Sequence, residues 1–247
     1  SSTAIGGGVW IVIMRAMLSV IIPTLNAGET LTRTLAPLVP GAVKGLVREV
    51  IVVDGGSTDG TLEIVESTGA KLIRAPKGRG RQLAAGAKAA RSNWLLFLHA
   101  DTVLEESWIS EIQIFFEQVE SGRFRDGEMA AAFRFALDDF SGRARLIERM
   151  VALRCALFRL PYGDQGLIVH RRLYEKVGGF RDLPLMEDVD LVRRIPRRRL
   201  LMFRSQAVTS PARYIRDGFL ARSLRNLTCL ALYYLRVPPR IIARVYG

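Results

Sequence analysis

The sequence predicts an α/β fold: a doubly wound, mostly parallel sheet flanked by helices, with a basic helical C-terminal tail. Three observations carry this expectation. Short β-branched apolar runs alternate with amphipathic stretches through the first hundred residues. Of the 247 residues 49% are apolar, enough to fill the core of one such domain. The net charge of +12 is a property of the tail, because residues 1–190 hold 23 basic and 23 acidic side chains while residues 191–247 hold 13 arginines and one acid, Asp217.

The runs LSVIIP (Leu18–Pro23) and VIVVD (Val50–Asp54) have the length and branching of strands buried on both faces. Between them, Glu29–Leu38 has the apolar spacing of a helix. Thr61–Ser67 is expected as the next helix and KLIRA (Lys71–Ala75) as a short third strand. The alanine-rich Gln82–Arg91 reads as a helix that packs closely on the sheet and leads into the fourth strand, LLFLHAD. Strand and helix in turn imply parallel pairing through right-handed crossovers.

Further along, Glu128–Leu137 alternates as a strand does, and Arg143–Leu160 reads as a basic amphipathic helix ended at Pro161. PYGDQG has turn chemistry, and GLIVHRR returns to the sheet with His170 as a structural residue. Phe219–Leu235 places Leu220, Leu224, Leu227, Leu230, Ala231 and Tyr234 at helical spacing before Pro238 and Pro239. Such a helix either packs its stripe on the domain or lies on a membrane surface.

Residues 1–16 are expected to be an expression remnant or an upstream extension, too short and too interrupted by Arg15 to span a bilayer. The main domain is expected over residues 17–204, in two halves (17–102 and 103–204), with residues 205–247 as the basic helices. Cys155 and Cys229 form no CxxC pair, which argues against a disulfide framework or a zinc site. A reducing, cytoplasmic location is expected, with peripheral contact on the inner face of the membrane left open by the basic tail.

In such sheets ligands bind beyond the carboxyl ends of the strands. That rule selects Thr24 and Asn26, Asp54, the segment 75–81, and His99 to Thr102. Asp54 can accept hydrogen bonds from a base or ribose, and Gly55 and Gly56 allow close backbone approach. Asp101 offers a hard oxygen to a divalent cation, with His99 as a second candidate ligand or a hydrogen-bonding neighbour behind it. Arg79 and Arg81 suit diphosphate oxygens. Asp164 and Gln165, flanked by glycines, can present a carboxylate and an amide to sugar or acceptor hydroxyls. In MEDVDL, Glu187, Asp188 and Asp190 crowd the start of an expected helix, where acids gain from its dipole.

SVIIPTLN, VIVVDGGSTDGT, HAD and MEDVDL, in this order over roughly Leu18–Arg204, resemble the family 2 glycosyltransferases with the GT-A fold. PYGDQG and TSPAR resemble a subgroup of small standalone bacterial members. The resemblance implies a nucleotide-sugar set of Pro23, Thr24, Asn26, Glu29, Asp54, Gly56, Ser57, Lys77, Arg79, Arg81, Ala100 and Asp101. It also implies a nucleotide-sugar half over 17–102 and an acceptor half over 103–204, Mn²⁺ or Mg²⁺ on Asp101, Asp188 as catalytic base, and Asp164, Gln165 and Glu187 near the sugar or acceptor. His99 stands where the family's first motif acid usually stands, which leaves Asp101 and the diphosphate as the main expected holders of the ion.

The expected reaction is inverting transfer from a UDP-, GDP- or dTDP-sugar to an acceptor hydroxyl, with a lipid-linked acceptor open. The carboxylate takes the acceptor's proton while metal and arginines stabilise the leaving charge. A nucleotidyltransferase of related topology would want a glycine- and arginine-rich loop after the first strand, where PTLNAGET stands. A non-catalytic basic module binding membrane or RNA would leave Asp54, Asp101 and Asp188 without a role, and the paired aromatics of RNA-binding signatures are absent, so no nucleic acid is expected.

Overall fold

Alternation along a strand sorts its side chains between two layers. In the computed structural model, which describes residues 18–124, 127–158 and 160–246, Leu18, Val20 and Ile22 of strand β1 (Leu18–Thr24) enter one core and Ile21 enters the other. The sequence reading for residues 1–16 lies outside the described residues.

After β1 come helices α1 (Leu31–Leu35) and α2 (Val39–Val43), strand β2 (Val47–Asp54), helix α3 (Thr61–Thr68), strand β3 (Lys71–Arg74), helix α4 (Arg79–Ala89) and strand β4 (Trp94–Phe97). The continuous helix expected over Glu29–Leu38 is instead split, α1 passing into a 3₁₀ turn at Ala36–Leu38. Pro37 inside that turn has no N–H to continue an α-helical ladder. Pro23, by contrast, is tolerated within β1, because pairing with β4 ends at Ile21 and its missing N–H faces that side. Helix α4 lies close on the sheet: a Cβ on Gly86 would sit 2.3 Å from Ile21 Cγ2.

The second half supplies β5 (Thr102–Leu104), α5 (Trp108–Glu120), β6 (Ala130–Leu137), α6 (Gly142–Phe158), β7 (Leu167–His170), α7 (Arg171–Lys176), α8 (Glu187–Arg194) and β8 (Leu200–Thr209). One eight-stranded sheet results, in the order β3-β2-β1-β4-β7-β6-β8-β5. β1 to β4 pair in parallel as expected, β7 runs antiparallel between β4 and β6, and β8 is parallel to β6 and antiparallel to β5. Trp108, Ile112, Phe115 and Phe116 turn one face of α5 into the core. His170 is structural: it caps α7, its Nδ1 accepting the Arg172 N–H at 3.3 Å, and packs edge-on against Trp94.

Strand β8 runs through residue 204, so the sheet continues past the expected end of the domain. The tail proper is α9 (Ala212–Asp217), α10 (Phe219–Tyr234) and α11 (Pro239–Tyr246). It docks through Cys229 and Ile242, which bury Met186 and Val189 at the start of α8. Asp217, the tail's single acid, pairs with Arg216, Arg222 and Arg225. The apolar stripe of α10 faces outward, with Leu220 85% and Leu224 69% exposed. No helix among the described residues is long and apolar enough to cross a membrane.

Candidate active site

Two features form at the carboxyl ends of the parallel strands. The first is a rim knitted from the ends of β1 and β2. Asn26 donates its N–H to Ser57 Oγ at 2.9 Å and accepts the Thr58 N–H on Oδ1 at 2.9 Å. Asp54 lies beneath this rim, 2% exposed. Its carboxylate accepts the N–H groups of Gly56 (2.8 Å) and Ser57 (3.0 Å) and the hydroxyls of Ser57 and Thr24. Burial alone would raise its pKa, but these hydrogen bonds outweigh burial and hold the carboxyl below its usual range. Asp54 therefore stays ionised and fixes the Gly56–Ser57 turn; a base or ribose would reach it by displacing the Ser57 hydroxyl. Gln82, at the first turn of α4, ties Thr24 and Val53 together by donating to both carbonyls.

The second feature is a cleft lined by Arg79, His99, Asp101, Asp164 and Asp188, with Thr209, Ser210, Tyr214, Arg222 and Tyr246 supplied by β8 and the tail. Asp101 follows β4, and its carbonyl accepts the Ser210 N–H at 3.2 Å. Thr209 donates from Oγ1 to the Asp164 carbonyl at 3.2 Å, so the start of TSPAR holds both acidic segments. At Gly163 the backbone passes so close to the catalytic candidates that a Cβ would lie 2.6 Å from His99 Nε2 and 3.1 Å from Asp188 Oδ2. Asp188 accepts the Gly163 N–H at 2.6 Å on Oδ2 and the Val189 N–H at 2.7 Å on Oδ1.

The three acids of MEDVDL part company. Asp188 alone lines the cleft. Glu187 is 2% exposed, with Arg79 Nη1 3.4 Å from its Oε1, an ion-pair distance without hydrogen-bond geometry. Burial and the neighbouring Asp188 charge push the Glu187 carboxyl up, and Arg79 opposes them. Asp190 is bound by Arg194 at 2.7 Å, by Arg181 and by Tyr233. The helix carrying them starts from Met186 at φ 65°, a left-handed conformation unfavourable for a residue with a side chain, held there by its burial against the tail helices.

Asp164 has a buried Oδ1 without a hydrogen-bond partner among the described residues. Burial pushes its carboxyl up to about 6; Arg154 works against this, and Asp188 and Asp101 add to it. Gln165 turns inward, its Oε1 accepting from Tyr162 N–H and Arg154 and its Nε2 donating to the Phe133 carbonyl. A sugar contact from Gln165 or Glu187 would require breaking these interactions. Glu29 and Lys77 are exposed, Pro23 and Ala100 partly buried beside the rim and cleft, and Arg81 is paired with Asp182 at 2.7 Å on the surface. The sequence reading assigned no site role to Tyr162, Thr209, Ser210, Tyr214, Arg222 or Tyr246. The basic tail was the available signal, since Arg222, among its arginines, is buried at the cleft.

Residues 19–139 match the model of Glycosyl transferase family 2. An uncharacterized glycosyltransferase of Rickettsia felis is 33% identical over 108 residues, covering 43% of this chain and 36% of the relative. A PGL/p-HBAD biosynthesis glycosyltransferase of Mycobacterium tuberculosis is 36% identical over 104 residues, covering 37% of this chain and 38% of the relative. The matched segment is thus little more than a third of these relatives' length. Among solved structures, a 1–349 fragment of S. aureus TarS in complex with UDP-GlcNAc superposes with a TM-score of 0.59 at 19% identity, over 78% of this chain and 58% of that one. Glucosyl-3-phosphoglycerate synthase from M. tuberculosis, in complex with Mn²⁺, UDP-Glc and phosphoglyceric acid, gives 0.54 at 19% identity, over 90% and 81%. The fold is that of the GT-A glycosyltransferases, and residues 19–139, just under half of the chain, match a glycosyl transferase family 2 domain.

Proposed function

We propose that this chain transfers a sugar from a UDP-sugar to an acceptor hydroxyl with inversion at the anomeric carbon. The observation that carries the reading is the convergence of Arg79, Asp101 and Asp188 on one cleft in a chain with this family match. The neighbours bound to UDP-GlcNAc and UDP-Glc favour UDP over GDP or dTDP. In this reading the rim of Thr24, Asn26 and Ser57 receives the nucleoside, and Arg79 balances the charge of the departing diphosphate. Asp188 takes the acceptor's proton as its oxygen bonds to the anomeric carbon. Its two backbone hydrogen bonds orient the carboxylate and leave a lone pair on each oxygen for that proton.

Among the described residues no group of three or more His, Cys, Asp or Glu is placed to hold an ion. Asp101, with His99 lining the same cleft, nevertheless fits the pattern in which Mg²⁺ or Mn²⁺ takes one or two protein ligands and completes its shell with substrate phosphates. When bound, such an ion stabilises charge on the leaving diphosphate. The outward leucines of α10 and the arginines of the tail support a peripheral contact with an anionic membrane surface. The nucleotidyltransferase and non-catalytic alternatives lose their footing with the family match.

Calorimetry with UDP tests the donor half. The parent should bind UDP more tightly with Mn²⁺ present, and Asp101→Ala should lose that increment while keeping its fold, because Asp101 sits at a strand end outside the core. Equal Mn²⁺-dependent affinity in both proteins would remove Asp101 from the ion site.

A further inference from the structure

Helices α6 and α10 both turn leucines to solvent. On α6, Leu146, Met150 and Leu153 recur at i, i+4 and i+7, which places them on one face; on α10, Leu220, Leu224 and Leu227 repeat the spacing. Between the helices runs a groove of about 550 Å³, a volume typical of small-molecule sites. Its walls are apolar, with Val151 and Leu153 on one side and Leu227, Leu230 and Ala231 on the other. Its inner end is formed by Tyr162, Asp164, Tyr214 and Asn226, and all four also line the cleft that holds Asp188. Groove and cleft therefore meet.

The distribution of polar groups selects the occupant. Among the described residues, the charged side chains lining the groove are Arg154 and Asp164, both toward the cleft. Arg154 is fixed there, stacked 3.4 Å over the Tyr162 ring and donating to the Leu160 carbonyl and Gln165 Oε1. Asp164 Oδ1, buried and unpartnered, asks for a donor. A folded protein or a bilayer surface would cover Leu220 and Leu224 from outside and leave that oxygen unsatisfied. A thin apolar chain ending in a hydroxyl answers both ends of the groove.

We propose that this groove is the acceptor subsite, and that it takes the hydrocarbon chain of an amphiphilic alcohol whose hydroxyl lies between Asp164 and Asp188. The proposal rests on the glycosyl-transfer reading above. In the transfer, the alcohol oxygen bonds to the anomeric carbon as the bond from that carbon to the diphosphate oxygen breaks. The diphosphate leaves with the electron pair, and the alcohol's single proton, donated to Asp164 Oδ1 while the alcohol is bound, turns to Asp188 and passes to it as the new bond forms.

The test is photolabelling of the full chain with a dodecanol carrying a diazirine in its chain, followed by peptide mapping. Label should fall on α6 and α10, be displaced by plain dodecanol, and be lost in Ala231→Trp, which fills the groove, and in Leu153→Glu, which charges its wall. Leu220→Glu, outside the groove, should label as the parent does. With UDP-sugar as donor, KM for n-alkanols should fall by up to about fourfold per added methylene and flatten in the two groove variants. Label that survives both groove variants, that disappears in Leu220→Glu, or that appears only when vesicles are present would overturn the proposal. UDP calorimetry on the same preparations keeps the two readings apart. Groove-specific label without UDP binding contradicts glycosyl transfer but leaves an amphiphile site, whereas UDP binding without specific label removes the groove and leaves the transfer reading.

Discussion

Gly163 donates its backbone N–H to Asp188 Oδ2 at 2.6 Å, across 25 residues of sequence. The turn PYGDQG and the first turn of α8 are thereby one unit, and the carboxylate proposed as base is aimed by a backbone amide rather than by another side chain. Gly163 is needed for this closeness, since any Cβ would press on both His99 and Asp188.

Gly163→Ala should therefore push Asp188 and His99 apart from their present positions. We expect a stability loss of about 1–3 kcal/mol from overpacking and a disproportionate fall in turnover, while UDP affinity, held by the rim, changes little. Parental turnover in the alanine variant would show that the contact does not position Asp188. Thermal melts and steady-state rates on one preparation decide the matter.

Arg79 has two roles that a double substitution separates. Arg79→Met strands Glu187 as a buried unpaired carboxylate and should lower stability, by less than the about 3–5 kcal/mol of a fully buried pair because the Arg79 side chain is 36% exposed. Adding Glu187→Leu should return most of that stability, because the lone charge is gone. Affinity for UDP should stay low in the double variant if Arg79 also holds the diphosphate. Recovery of both stability and affinity would confine Arg79 to the ion pair.

Asp164 carries a pH signature. Burial raises its carboxyl from an ordinary 3.8 to about 6, so between those values the folded protein keeps a proton that the unfolded chain releases. The stability associated with the neutral carboxyl is complete below about pH 4 and is lost as pH rises through about 6. Asp164→Asn removes this loss. Its melting temperature relative to the parent should climb between pH 4.5 and pH 7.5, and a constant difference over that window would contradict a raised pKa.

Much of the first half of the fold could be read from the sequence because its strands are short, β-branched and separated by helices of clear period. β1, β2, β3 and β4 all form within a residue or a few of the expected runs. β8 went unrecognised because LLMFRSQAVT mixes Arg204, Ser205 and Gln206 into its middle, where the register with β6 also slips. Their polar atoms are satisfied from a distance: Glu111 accepts the N–H groups of Arg204 and Ser205, and Glu105 accepts that of Gln206. Local pattern carries no sign of partners about a hundred residues away.

The same limit applies at the cleft. Strand-end position sufficed to single out Asp101 and Asp54, but not to distinguish Glu187 from Asp188, adjacent acids whose fates depend on Arg79 and Gly163. Nor could spacing along α10 tell that Arg222 would turn inward to Asp217 and Tyr246 while Leu220 and Leu224 faced solvent. Burial of a charge against an apolar exterior reverses the usual amphipathic reading, and only the docking of α11 makes it intelligible.

If Asp188 is the general base, Asp188→Asn separates proton transfer from donor binding. The amide keeps the size and shape of the side chain but cannot take the acceptor's proton. UDP-sugar affinity, measured without acceptor, should remain near the parental value, while turnover with an alkanol or other responsive acceptor should fall by about 10² to 10⁴. Turnover within a few-fold of the parent, in a folded variant of unchanged donor affinity, would rule out Asp188 as the base.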